Sequence, residues 1–119
     1  MSTPVQLRDG IMSDAPALAG LMTQLGYETT TVQMRERLGA ILPHQYFATF
    51  VAEVGDRVVG MVGAELAPGY EYDGMQCRIL ALVVDEGFHR NGIGRLLLVQ
   101  AEAWAESQGA WKMTVNTAH

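Results

Sequence analysis

Two glycines and several basic side chains lie close together in the segment His89-Arg90-Asn91-Gly92-Ile93-Gly94-Arg95, which we call the glycine loop. Glycine has no Cβ, so Gly92 and Gly94 allow a bulky anion to approach the main chain closely. His89, Arg90 and Arg95 add donors that are cationic or can become so. If a helix begins here, its first N–H groups lack intrahelical partners and carry a partial positive charge. The glycine loop therefore predicts a site for a phosphate or diphosphate.

A strand and a helix must position this loop. The preceding apolar run, Ile79-Leu80-Ala81-Leu82-Val83-Val84, predicts a strand that is buried on both faces. Apolar residues then recur at helical spacing from Ile93 to Trp104, and Gly109 favours the helix end. Residues 109–116 predict a further strand, which must run parallel to the first because a helix connects them. The loop thus lies at the carboxyl end of a strand, where open α/β sheets bind ligands.

Two common nucleotide-binding loops do not fit this spacing. Gly94 is followed by Arg95 rather than by Lys-Ser or Lys-Thr, so the magnesium-binding hydroxyl of a nucleoside-triphosphate loop is missing. A third glycine at dinucleotide spacing is also missing. A tight turn that binds nothing is the alternative for Gly92 and Gly94.

The order of these features resembles the acyl-coenzyme A signature of the GNAT superfamily of N-acetyltransferases. The residues that carry the resemblance are Leu82-Val83-Val84, the segment from Phe88 to Gly94, and Arg95-Leu96-Leu97. The resemblance covers nearly the whole chain. One position departs from the pattern, because the family usually has Arg or Gln three residues before the first glycine, where this chain has His89.

The resemblance implies that acetyl-coenzyme A is the co-substrate and that main-chain groups make most of its contacts. The glycine loop would hold the diphosphate through its amides. Leu82, Val83 and Val84 would line the thioester, with the N–H of Leu82 assigned to the carbonyl. Asn116, at the end of the fifth strand, would meet the pantetheine arm.

Transfer of an acetyl group to an amine needs a base for the amine, a polarised carbonyl and a proton for the leaving thiolate. Glu65, near the end of the predicted third strand, is the first candidate for the base, and Glu71 or Asp73 in the next loop come second. Each of these acids, taken alone, is more often a solvated surface residue. Relatives usually place the proton-donating tyrosine on a helix after the fifth strand, and Tyr70 and Tyr72 lie in the wrong segment for that role.

Hydrophobic periodicity and turn signals predict the remaining elements. They are a strand at Val5–Arg8, a helix that Ser13 caps and Gly26 ends, a helix after the Thr30 and Gln33 capping box, and strands at Ala48–Glu53, Arg57–Leu66 and Met75–Val84. The expected fold is α/β with a mixed sheet, in which an antiparallel meander leads into a strand-helix-strand unit. We expect one GNAT-like domain over residues 1–119 that lacks the family's last strands.

The amino-acid composition limits the classes of binding partner that we expect. The chain has 119 residues, of which 49% are hydrophobic and 18% charged, and its formal charge is −5. This charge argues against nucleic-acid binding and favours a cationic substrate such as a small-molecule or peptide amine. Cys77 is the single cysteine, which excludes an intrachain disulfide and a cysteine-clustered zinc site, and no metal is expected. No apolar run could cross a membrane and no secretory signal is visible, so we expect a cytoplasmic protein.

Two other classes of function stay open. A non-catalytic acyl-coenzyme A binding module would explain the missing proton donor and the lack of a clear base. A purely structural interaction domain would bind no coenzyme A thioester. The unpaired edge expected at the fifth strand also predicts either missing residues or a homodimer that covers it.

Overall fold

The computed structural model describes residues 4–70, 73–89, 91–110 and 112–115. The elements are, in chain order, β1 (Val5–Asp9), α1 (Ala15–Leu25), α2 (Thr31–Ile41), β2 (Phe47–Val54), β3 (Arg57–Pro68), β4 (Met75–Val84), α3 (Ile93–Ser107) and β5 (Lys112–Val115). Every strand and helix that the sequence predicts is present, with ends that differ by a few residues. Trp111 and Asn116, which the sequence places in the fifth strand, lie outside the described residues.

The five strands form one sheet in the order β1-β2-β3-β4-β5. β1 to β4 are antiparallel neighbours, and β5 runs parallel to β4. The predicted hairpin between β2 and β3 is confirmed, with Gly55 at φ 62° in its turn. The meander and the β4-α3-β5 unit therefore have the predicted topology.

Helices cover both faces of the sheet. Helix α3 packs on one face through its buried stripe of Ile93, Leu97, Ala101 and Ala105. Gly60 on β3 permits this close approach, because a Cβ there would lie 3.0 Å from Cδ1 of Leu97 and 3.3 Å from Cγ2 of Ile93. The first turn of α3 is thus held at a fixed height above the sheet.

Helices α1 and α2 cover the opposite face through a separate set of buried side chains. These are Ala15, Leu18, Ala19 and Leu21 from α1, Met34 and Leu38 from α2, and Val51, Met61 and Val83 from the sheet. The capping box of α2 is confirmed, since Thr30 Oγ1 accepts from the N–H of Gln33 at 3.1 Å and the Gln33 side chain accepts from the N–H of Thr30 at 3.0 Å.

The start of α1 differs from the prediction. Residues Met12–Asp14 form a 3₁₀ turn, and the helix begins at Ala15 without a side-chain cap, so the prediction of Ser13 as the cap is wrong. Asp14 is buried and accepts two hydrogen bonds of 2.9 Å from Arg8 and one from the N–H of Ile11. The Arg8 guanidinium holds the pKa of Asp14 below its usual range, against the opposing effect of burial. This ion pair fixes the start of α1, a role that the sequence assigns to the hydroxyl of Ser13.

The prediction that β4 is buried on both faces is wrong at Leu80, which is 42% exposed. The register explains this: Gly63 of β3 faces Ala81 and Ala64 faces Ile79, so Leu80 is an extra residue without a partner on β3. Such a β-bulge bends the strand and turns a side chain out of the alternating pattern. Leu80 and Ala81 consequently both line the face that α1 and α2 cover.

In the described part of the chain, no helix has the length and apolar character that spanning a bilayer requires.

Candidate functional site

The carboxyl end of β4 has an outer edge that no other described strand covers, which we call the open edge. β5 pairs with β4 from Gln76 to Ile79, and no strand among the described residues pairs with that edge beyond Ile79. On the inner edge, the N–H of Asp85 bonds to the oxygen of Val59 at 2.7 Å. Antiparallel neighbours alternate between hydrogen-bonded and non-bonded pairs. Main-chain groups of Leu82 and Val84 therefore point away from β3, toward the open edge.

The glycine loop begins beside this edge. Gly92 precedes α3 with φ 73°, a left-handed conformation that glycine adopts without strain, and its carbonyl accepts the first helical hydrogen bond, from Leu96. Ile93 is 1% exposed and anchors the first turn in the core. The N–H groups of Ile93, Gly94 and Arg95 have no earlier helical carbonyl to bond, which leaves a partly positive, anion-binding terminus.

Gly94 faces β4. A Cβ at this position would lie 3.8 Å from Cγ2 of Val84, an ordinary van der Waals distance. A larger side chain here would fill the space between the helix start and the strand. Asn91 and Arg95 are exposed on the outer side of the turn. The structure thus brings Leu82, Val84 and the start of α3 together, as the sequence predicts.

The turn between β4 and α3 is braced by Asp85 and Arg57. One oxygen of Asp85 accepts from the N–H of Gly87 at 3.1 Å, and the other accepts from Arg57 at 2.7 Å. The Arg57 guanidinium also lies 5.5 Å from the centre of the Phe88 ring, at cation–π distance. These contacts tie the turn to the start of β3, far from α3 in sequence.

His89 contacts the end of β4, and its predicted contact with the coenzyme stays a prediction. Its Nε2 lies 2.8 Å from the main-chain oxygen of Val84. Because a carbonyl oxygen only accepts, Nε2 must carry the proton, and the ring braces the turn against β4.

Gln24 is a residue of this site that the sequence analysis missed. Its Oε1 accepts a 3.0 Å hydrogen bond from the N–H of Glu86, which joins the end of α1 to the turn after β4. Together they enclose a cavity of about 380 Å³, lined by Gln24, Leu25, Leu82, Val83, Val84, Glu86 and His89. No sequence signal marks Gln24, since it lies at an exposed helix position 62 residues before its partner.

Glu65 lies on β3 and forms an ion pair with Arg78, its neighbour on β4. The Glu65 side chain is 16% exposed and that of Arg78 is 52% exposed. Arg78 precedes Leu82 by four residues, roughly 13 Å along a strand. Glu65 is therefore near the site but not in contact with the open edge.

The other predicted acids and donors either do not reach the open edge of β4 or lie outside the described residues. Asp73 is exposed and lies two residues before the start of β4, which spans roughly 23 Å from Met75 to Leu82. The candidates outside the described residues are Glu71, Tyr72, Arg90 and Asn116. In the described part, no group of three or more His, Cys, Asp or Glu side chains is placed to hold a metal ion.

Comparison with solved structures shows the same fold in several acetyltransferases. A GNAT family acetyltransferase from Staphylococcus aureus is 26% identical, with a TM-score of 0.86 over 100% of this chain and 89% of its own. The aminoglycoside N-acetyltransferase AAC(6')-Iy, solved in complex with coenzyme A, is 18% identical, with a TM-score of 0.87 over 99% of this chain and 80% of its own. Glucosamine-6-phosphate N-acetyltransferase from Arabidopsis thaliana is 18% identical, with a TM-score of 0.79 over 95% and 82%.

A search of curated proteins found no significant match. The family model of the GNAT acetyltransferases matches residues 17–119, which include most of α1 and all of α2, β4, the glycine loop and α3. With the topology of the sheet and the open edge of β4, this match assigns the chain to the GNAT acetyltransferase family.

Proposed function

We propose that this protein is an N-acetyltransferase that transfers an acetyl group from acetyl-coenzyme A to a primary amine of a small molecule or protein. The observation that carries the proposal is the open edge of β4 at Leu82 and Val84, directly beside the start of α3. The main-chain groups of an unpaired strand edge can bond to an added ligand or chain, and here they lie next to a helix N-terminus. A ligand with a diphosphate and an amide-bearing arm satisfies both sets of donors at once.

Each part of the site has a role in this proposal. The amides of Ile93, Gly94 and Arg95 bind the diphosphate with the partial positive charge of the helix start. The main-chain N–H of Val84, whose carbonyl oxygen is bonded to His89, donates to the pantetheine arm in the manner of an added strand. The N–H of Leu82 donates to the thioester oxygen and stabilises the charge that develops there during attack. Arg90 and Asn116 are proposed as further contacts of the same ligand, on the family pattern alone.

In the reaction, the amine nitrogen forms a bond to the acetyl carbon, and the bond from that carbon to sulfur breaks. The amine proton passes to a base, for which we propose Glu65. Glu65 pairs with Arg78, which lies roughly 13 Å along β4 from Leu82, so a chain of water molecules must carry the proton to a carboxylate that also contacts Arg78. Solvent supplies the proton of the leaving thiolate in this scheme.

The test is release of free coenzyme A thiol from acetyl-coenzyme A in the presence of a panel of primary amines. Thermal unfolding with and without acetyl-coenzyme A reports binding independently of turnover. We expect acetyl-coenzyme A to raise Tm and at least one amine to accelerate thiol release. The same proposal places the protein in the cytoplasm, where a single reduced cysteine is ordinary.

The ion pair of Glu65 with Arg78 favours a second candidate function, an acyl-coenzyme A binding module without catalysis. The Glu65 carboxylate already accepts from the Arg78 guanidinium, which competes with an amine or a water molecule for the same oxygens. A raised Tm with acetyl-coenzyme A, but no thiol release with any amine, would support this module over the enzyme.

A further inference from the structure

A second cavity lies between the two N-terminal helices and the sheet. Its volume is about 190 Å³. Its wall is formed mainly by the apolar side chains of Met22, Met34, Leu38, Ile41, Phe47 and Leu80. It lies on the face opposite α3, and the β4 bulge brings Leu80 into its wall.

This cavity and the open edge of β4 are neighbours along one strand. Leu80 and Ala81 line the cavity, and Leu82, the next residue, presents its main chain to the open edge. One residue of a strand advances about 3.3 Å. The reacting atom at Leu82 would therefore lie one strand residue from the cavity wall at Ala81.

We propose that the acceptor is a primary amine that carries one compact apolar group, either an aromatic ring or a branched aliphatic chain. This inference rests on the proposed acetyl transfer and adds the class of its substrate. A cavity of about 150 Å³ lined by aliphatic and aromatic side chains is large enough to bind benzene. The cavity beside β4 therefore accommodates one ring or a chain of similar size, but not two linked sugar rings.

The small number of polar groups in the cavity wall also favours an apolar group on the acceptor. Among the described residues that line the cavity, Arg37 and Thr49 carry the polar side chains. Arg37 donates to the hydroxyl of Thr29 at 3.2 Å, which directs its guanidinium toward the α1–α2 connection. A polyhydroxylated acceptor would lose its hydrogen bonds to water in such a cavity without regaining them from the wall. The exposed side chain of Leu80, by contrast, gains an apolar neighbour when an apolar group enters.

Gly63 provides a way to fill the cavity. It lies on β3 within the wall, and a Cβ built there meets one atom within 4 Å, the Cβ of Ala81 at 3.9 Å. Valine is favoured in strands, so Gly63→Val puts a larger side chain into the cavity, and its Cβ makes no close contact. Gly63→Ala adds a single methyl group and gives an intermediate step. Leu80→Ala removes an apolar wall residue and serves as an independent variant if Gly63→Val fails to fold.

The experiment is calorimetric titration of the full chain, saturated with coenzyme A, by three amines. Coenzyme A replaces acetyl-coenzyme A so that no turnover occurs. The amines are 2-phenylethylamine, ethanolamine, which lacks the ring, and glucosamine. We expect 2-phenylethylamine to bind at least about tenfold more tightly than either of the others, because a single methylene in such a pocket already changes affinity by about tenfold.

The variants decide whether the cavity is responsible. Gly63→Val should weaken 2-phenylethylamine at least about tenfold and Leu80→Ala should weaken it as well, while the Tm shift with coenzyme A persists. Equal binding of the three amines, undetectable binding of 2-phenylethylamine, or affinity that neither variant changes would overturn the inference. The two proposals fail separately. Thiol release with polar amines alone would support the transferase and contradict the apolar acceptor. Tight binding of 2-phenylethylamine without thiol release would contradict the transferase and leave the apolar amine site.

Discussion

The Nε2 atom of His89 lies 2.8 Å from the main-chain oxygen of Val84, so a side chain of the glycine loop closes the turn back onto β4. A loop held in this way presents its amides in a fixed direction before any ligand arrives. Binding then costs less conformational entropy than it would for a loose loop.

Removal of this brace should weaken acetyl-coenzyme A binding. A hydrogen bond of this kind contributes about 0.5–1.5 kcal/mol, so we expect His89→Ala to raise Kd roughly two- to twelvefold. His89→Gln keeps a donor and should recover part of the loss. His44→Ala, a change in the exposed loop before β2, is the matched control. An unchanged Kd in His89→Ala, measured by calorimetry, would show that the brace does not orient the loop.

Gly94→Val should abolish the rise in Tm that acetyl-coenzyme A causes. Its side chain would occupy the space between the helix start and Val84, and its Cβ lies at an ordinary 3.8 Å from the nearest existing atom, so the Tm of the variant without ligand checks that it folds. For the wild type, a ligand at a hundredfold excess over Kd adds about 2.7 kcal/mol to stability. Gly20→Val, in a helix with no heavy atom within 4 Å of the new Cβ, is the control. A full Tm shift in Gly94→Val would remove the glycine loop from the site.

Glu65→Gln should lower turnover by about 10²-fold or more if Glu65 is the base. The amide keeps a hydrogen-bond acceptor for Arg78 but cannot take the amine proton. Acetyl-coenzyme A binding should stay the same, because Glu65 does not reach the open edge of β4. Glu102→Gln, an exposed change on α3, is the control. Normal turnover of Glu65→Gln, at saturating amine, would transfer the role to water or to another group.

Asp14→Asn should destabilise the fold by about 1.5–3 kcal/mol, the usual contribution of hydrogen bonds to a charged group. The pKa of Asp14 is lowered in the folded state, mainly by Arg8. Its contribution is therefore complete above the unfolded pKa of about 3.9 and disappears as the pH falls through the folded value. Urea unfolding at pH 7 and near pH 2 should show the difference from wild type shrinking in acid. Asp56→Asn, in the β2–β3 turn, should show no such difference at pH 7.

Local features of the chain were predictable, whereas contacts between distant segments were not. The glycine loop and the α3 stripe depend on residues within a few turns of each other, so spacing alone places Gly92 and Ile93. The bulge at Leu80 depends on how β4 aligns with β3, which an unbroken apolar run does not encode. The same alignment pairs Glu65 with Arg78.

Gln24 and Asp14, at the two ends of α1, also make contacts that the sequence does not predict. Each contacts a group on another element, the N–H of Glu86 and the guanidinium of Arg8. Ser13 has the sequence features of a helix cap, but the ion pair of Asp14 replaces that function. A propensity rule describes the isolated helix, whereas the tertiary partner determines where the helix starts.

The alternation of main-chain groups along the end of β4 also predicts a pattern of hydrogen exchange. The amides of Ala81 and Val83 bond to β3 and should exchange slowly, whereas those of Leu82 and Val84 face the open edge and should exchange quickly in the protein alone. Neighbouring residues of one strand would then differ in protection by orders of magnitude. Acetyl-coenzyme A should slow Leu82 and Val84 selectively, so an exchange map resolved to single residues can locate the ligand before any complex is crystallised.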